Sequence, residues 1–147
     1  MKLLFTFITI FLLNIDLVNA KTFSVQILNK KKYENMIFDP NFLKIELGDE
    51  VEFIPTDKGH NSQALLVPKG AEKWQGKVDE KITVKFTKKG LYFYECKYHG
   101  VMGMFGLIQV GNDLHNKNEL LEFTDNYRKK LIMNKNRIDG ILMNLAK

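Results

Sequence analysis

Hydrophobic and polar residues alternate along much of the chain between positions 22 and 110. In Thr22–Leu28, Phe23, Val25 and Ile27 alternate with Thr22, Ser24 and Gln26. In Phe42–Leu47, Leu43, Ile45 and Leu47 stand against Lys44 and Glu46. In Glu50–Ile54, Val51 and Phe53 stand against Glu50 and Glu52. In Glu80–Phe86, Ile82, Val84 and Phe86 stand against Lys81, Thr83 and Lys85. A period of two marks a strand with one buried face. The short apolar runs Met36–Phe38 and Ala64–Val67, and the aromatic runs Leu91–Glu95 and Phe105–Val110, add further strands. Asn29–Asn35, Gly48-Asp49 and Lys88-Lys89-Gly90 read as turns, and Ala71–Gln75 as one helical turn. Pro55 ends the strand before it, because proline cannot donate to a sheet ladder. The pattern predicts a mainly-β fold, a sandwich or barrel of about eight short strands.

The periodicity changes at both ends. From Asp113 to Lys147 there is no proline, and apolar residues recur at helical spacing. Leu114, Leu120, Leu121, Phe123 and Tyr127 predict one helix. Leu131, Ile132, Ile138, Ile141, Leu142 and Leu145 predict a second, weakened by Gly140. These helices are expected to pack an apolar stripe on the sandwich. At the other end, Lys2 precedes the apolar run Leu3–Leu13, and Val18-Asn19-Ala20 precedes Lys21. That is the pattern of a cleaved export signal. The run is shorter than the roughly 20 apolar residues of a spanning helix. The expected organisation is a leader over 1–20, a β-sandwich over 21–112 and C-terminal helices over 113–147.

Composition narrows the class. With 45% hydrophobic and 27% charged residues, the chain suits one globular domain rather than a disordered one. Its net charge is +5, but the basic residues are scattered and no nucleic-acid-binding motif appears. A single cysteine excludes an internal disulfide and any zinc site built on several thiolates.

That cysteine carries the chemistry. Cys96-Lys97-Tyr98-His99-Gly100-Val101-Met102-Gly103-Met104 lies between two predicted strands. A lone cysteine in a β domain is ordinarily a small buried hydrophobe, and a methionine ordinarily fills a core. Together, a thiolate, an imidazole and a thioether on one short connection make a soft donor set. One Cys and two His with a weak axial Met are the ligands of a blue-copper electron-transfer site. Cys96 and His99 supply two strong ligands. The third imidazole is His60 or His115; His60 is preferred, since it sits in a loop after a strand whereas His115 begins the tail. Met102 competes with Met104 for the axial place. Gly103 favours Met104, by letting the chain turn back under the site, and geometry must decide. Such a frame would hold one compromise between the arrangements Cu(I) and Cu(II) prefer, with Gly100 and Gly103 allowing tight turns.

Several segments carry a closer resemblance: Met36-Ile37-Phe38-Asp39-Pro40, Ile54-Pro55-Thr56-Asp57-Lys58-Gly59-His60-Asn61, Pro68-Lys69-Gly70-Ala71-Glu72-Lys73, and Gly103-Met104 inside the ligand loop. Over nearly all of residues 22–112 the chain resembles the pseudoazurins, small type I copper proteins of the cupredoxin family. The resemblance implies a Greek-key cupredoxin sandwich with a helical tail. It implies one copper ion, alternating between Cu(I) and Cu(II), held by the Nδ1 atoms of His60 and His99, by Cys96 and by Met104, with Asn61 tying the two ligand loops together. Two features depart from the family. Lys97-Tyr98 stands where Thr-Pro is usual, which restores a backbone N–H near the site, and the tail is longer.

The expected function is a soluble, periplasmic, monomeric electron carrier rather than an enzyme. Catalytic copper needs an open position for substrate, and no spare ligand group is visible. By resemblance the partners are acidic redox proteins, such as a copper nitrite reductase or a cytochrome. His99 is expected to reach the surface within an apolar patch of Met36, Pro68, Val101 and Met102. Lys58, Lys69, Lys73, Lys77 and Lys97 are expected around it to steer those partners. Copper delivery or storage is the competing function, weakly allowed by Met102 and Met104.

Overall fold

The computed structural model describes residues 19–146. The predicted leader falls almost wholly on residues 1–18, outside the described residues. Among the described residues there are eight strands: β1 (Thr22–Lys31), β2 (Glu34–Asp39), β3 (Phe42–Ile45), β4 (Glu50–Pro55), β5 (Gln63–Leu66), β6 (Ile82–Lys85), β7 (Gly90–Glu95) and β8 (Phe105–Val110). Two helices follow, α1 (Lys117–Lys130) and α2 (Arg137–Met143).

The strands form two four-stranded sheets, ordered β2-β1-β4-β6 and β3-β8-β7-β5. Each is mixed: β1 runs parallel to β4 and β3 parallel to β8, while the remaining pairs are antiparallel. The buried residues of the alternating strands, Val25, Ile27, Val51 and Phe53, face Tyr92, Tyr94, Ile108 and Val110 of the second sheet in one core. Aromatic edges fill its centre. The Phe53 ring stacks on Trp74 at 5.5 Å and meets Tyr94 edge-on at 5.0 Å.

β7 and β8 do not alternate, and the reason is a second core on their outer face. Leu91, Phe93, Phe105 and Leu107 pack against Leu120, Tyr127, Leu131, Ile138, Ile141 and Leu145 of the tail. A strand buried on both sides reads as a continuous apolar run. The helices therefore cover the second sheet, as their apolar stripes anticipate.

Three local readings change. The Lys-rich stretch after Leu28 is mostly strand: β1 continues to Lys31, and only Lys32 and Tyr33 turn the chain into β2. Ala71–Gln75 forms no helical turn. Ala64 N–H donates to Trp74 O at 3.0 Å, and Gln75 makes an isolated bridge with Gln63, so this segment runs along the sheet edge. The second helix begins at Arg137, and Leu131–Asn136 is a connecting knuckle.

Candidate metal centre

Each donor is placed by the element before it. β4 ends at Pro55, and the loop beyond carries His60 into the interior, where it is fully buried. Asp79 holds this loop by accepting from Gly59 N–H at 2.7 Å, while its own N–H donates to His60 O at 2.8 Å. Cys96 follows β7 and Met104 precedes β8; both are fully buried. Between them the loop bonds to itself. Gly100 N–H donates to Cys96 O at 2.8 Å, Gly103 N–H to Gly100 O at 2.9 Å, and Cys96 N–H to Met104 O at 3.0 Å.

The result is a cluster. Cys96 Sγ lies 3.8 Å from His60 Nδ1 and 3.5 Å from His99 Nδ1, and all three donors fall within 4.8 Å of one another. Among the described residues this is the only group of three His, Cys, Asp or Glu placed to hold a metal. His115 is elsewhere, before α1 and 3.1 Å from Asp113. Met104 is buried in the core that contains Cys96, whereas Met102 is half-buried near the surface.

Hydrogen bonds fix the ligand faces. His60 Nε2–H donates to Asn29 Oδ1 at 2.9 Å. An amide oxygen only accepts, so the proton is on Nε2 and the Nδ1 lone pair faces Cys96. Burial, with the nearby His99 imidazole, holds His60 below its ordinary pKa. Asn61 joins the two loops: its Oδ1 accepts from Lys97 N–H at 2.9 Å and lies 3.7 Å from Cys96 Sγ, while its Nδ2 donates to Gly76 O at 3.0 Å.

The two loop glycines have different reasons. Gly103 has φ 89°, a left-handed conformation that suits glycine. At Gly100 the constraint is space. A Cβ there would lie 2.1 Å from Glu95 Oε2 and 2.8 Å from the Tyr127 hydroxyl. Tyr127 O–H donates to Glu95 Oε2 at 2.5 Å, and Gln63 Nε2 donates to Glu95 Oε1 at 2.9 Å. Burial, and then this carboxylate, push the Tyr127 hydroxyl pKa upward.

Of the four residues expected around His99, Val101 is exposed, Met36 and Met102 are half-buried, and Pro68 lies elsewhere; Tyr98, not among them, is also exposed. Val101 is 48% exposed and Tyr98 56%, while His99 is half-buried between them in sequence. Pro68 is buried at the far end of β7, against Gly90, with Lys69 next to it in sequence. A six-residue strand, roughly 20 Å, separates that end from Cys96.

Sequence patterning also missed three residues around the site: Asn29, Asn134 and Arg137. Asn29 was hidden in what read as a polar turn. Asn134 Nδ2 donates to Met102 O at 2.8 Å, and Arg137 Nη1 donates to Gly103 O at 2.9 Å. Both act across more than 30 positions, a distance no local pattern reports.

A soft thiolate, a buried thioether and two imidazoles with Nδ1 turned inward suit copper. Two mixed sheets around this donor set define a cupredoxin with one type I copper site. The model of the copper binding proteins of the plastocyanin/azurin family matches residues 25–111, and the chain belongs to that family. Within it the similarity is to pseudoazurins. A pseudoazurin of Paracoccus pantotrophus is 43% identical over 95 residues, which are 63% of this chain and 66% of the relative. One of Methylorubrum extorquens is 37% identical over 99 residues, 66% of this chain and 67% of the relative. The chain thus spans about two thirds of these curated relatives. The crystal structure of the pseudoazurin of Hyphomicrobium denitrificans superposes with a TM-score of 0.69 at 32% identity, covering 84% of this chain and 97% of that one.

Proposed function

We propose that the chain is a one-electron carrier whose copper is held by His60 Nδ1, Cys96 Sγ, His99 Nδ1 and Met104. The observation that carries this reading is the convergence of two imidazoles and one thiol within 4.8 Å, His60 from the loop after β4 and the other two from a loop closed by its own hydrogen bonds. Bound there, copper supplies a single electron by cycling between Cu(I) and Cu(II). The chain's part is to hold still. Asn29 sets the His60 tautomer, Asn61 ties the loops, and two cores brace β7 and β8 behind Cys96 and Met104. A donor set that does not rearrange keeps the cost of exchange low. Full burial of Cys96 and Met104 argues against delivery, which favours open and exchangeable donors.

The exposed Tyr98 and Val101 provide an apolar approach to the His99 edge. Lys97 and Lys58 lie within the two ligand loops, and Lys77 lies two residues before Asp79, whose N–H donates to His60 O. Positive charge there steers acidic redox proteins, among which a copper nitrite reductase or a cytochrome would fit. Residues 1–20 are read as an export leader that delivers the mature chain, a monomer, to the periplasm.

The copper-loaded chain is expected to give a reversible one-electron wave. Its electron-transfer rate with an acidic partner protein should fall steeply with added salt. Lys97→Glu should lower the low-salt association rate about ten-fold, the lower end of electrostatic steering. Stopped-flow mixing across ionic strength measures both. A rate indifferent to salt and to Lys97→Glu would remove the steering role.

A further inference from the structure

Three consecutive carbonyls of the ligand loop each receive a donor from the C-terminal tail. Ile132 N–H donates to Val101 O at 2.9 Å, Asn134 Nδ2 to Met102 O at 2.8 Å, and Arg137 Nη1 to Gly103 O at 2.9 Å. Arg137 continues across the site's edge, with Nη1 donating to Met36 O and Nη2 to Asn35 O, each at 2.8 Å. Its side chain is 9% exposed, and its nearest carboxylate, on Glu34, is 3.7 Å away. The guanidinium is therefore spent mainly on three carbonyls through Nη1 and Nη2, with Nε making only a long ion pair to Glu34. This use suits Arg, whose planar fork presents several donors in fixed directions.

The contact is also tight. A Cβ on Gly103 would meet Asn134 Cβ at 2.7 Å and Met133 O at 3.3 Å. Asn134 itself stands at φ 52°, a conformation that asparagine tolerates better than most residues. The knuckle is anchored from behind. Arg128 Nη1 donates to Lys135 O at 3.1 Å and to Asp139 at 3.0 Å, and Leu131 and Ile138 are buried in the second core.

We infer that the knuckle 131–136, with Arg137 at the start of α2, is a clamp, Asn134 and Arg137 being positioning residues that set where the loop delivers Met104 and His99. The inference deepens the proposed ligand set and, for its metal-dependent part, rests on it. Gly103 is the residue before Met104, and its carbonyl is the one Arg137 holds. Letting that carbonyl swing lets the Met104 side chain move relative to Cys96. In sites of this kind, the axial ligand tunes the potential.

Two variants separate the donors from the fold. Asn134→Gly removes the amide and still accommodates the positive φ. Arg137→Lys keeps the charge and loses the fork. In the metal-free chain, amide exchange at Gly103 and Met104 should accelerate at least ten-fold in each variant, while amides of β1 and β4 keep their rates. In the copper-loaded chain, each variant should shift the thiolate-to-copper absorption and the midpoint potential from those of the parent. Restoring Arg at 137 in the same preparation series should restore both. Unchanged loop exchange in a folded variant would overturn the clamp, and so would accelerated exchange with an unmoved spectrum and potential. A parent chain that shows no thiolate-to-copper band would instead refute the ligand set, and the metal-free exchange would still decide whether the knuckle clamps the loop.

Discussion

Cys96→Ser is expected to abolish the visible colour of the copper-loaded chain. The intense band of a blue-copper site comes from charge transfer between a thiolate sulfur and copper, and Cys96 is the only cysteine in the sequence. A hydroxyl is a hard, weakly acidic donor that cannot replace a soft thiolate. Loss of an outer partner that merely orients a ligand typically costs 10–100-fold in metal affinity. Loss of this ligand should exceed that. The fold should survive, because serine is close to cysteine in size, although a buried hydroxyl in place of a thiol whose Sγ already lies 3.7 Å from Asn61 Oδ1 is accommodated less well. Absorption spectra of parent and variant titrated with Cu(II), beside their circular dichroism, make the measurement. A band that persists in the variant would place the copper elsewhere.

Asn61→Ala is expected to lower stability by about 3 kcal/mol and to loosen the metal. Asn61 is 2% exposed and makes two backbone hydrogen bonds, one in each direction between loops. Removing its side chain forfeits roughly 1 kcal/mol for each bond and leaves Gly76 O without this buried donor, a further cost of about 1–3 kcal/mol. Lys97 N–H loses its acceptor at the first residue after Cys96. Copper affinity should therefore fall 10–100-fold, the range for outer partners, while the colour remains because all four ligands remain. Denaturant midpoints and competition with a chelator check the two halves. A variant as stable as the parent would show that the loops hold each other without Asn61.

Much of this site is legible along the chain because its ligands are local. Cys96, His99 and Met104 lie within one connection, and their softness identifies the metal class before any fold is known. The strands are legible where one face meets solvent, as in β4, where Val51 and Phe53 alternate with Glu50 and Glu52. What holds the ligands is less visible. Asn29 lies among lysines that look like a turn, yet its Oδ1 sets the His60 tautomer across 31 positions. Arg137 looks like an ordinary charge on a helix surface, and its value appears only when the tail folds back over the loop. Leu131 and Ile132 keep helical spacing but lie in the knuckle, because hydrophobic spacing does not mark where a chain leaves one helix before starting another. The resemblance places Pro68 and Lys69 near the site, whereas the structure puts Pro68 against Gly90, at the opposite end of β7.

A crystal structure of the copper-loaded chain tests the central claim most directly. The expected result is one ion bonded to Cys96 Sγ and to Nδ1 of both His60 and His99, with Met104 Sδ as a longer axial contact. An ion bound through other residues, or bound without the cysteine sulfur, would contradict it.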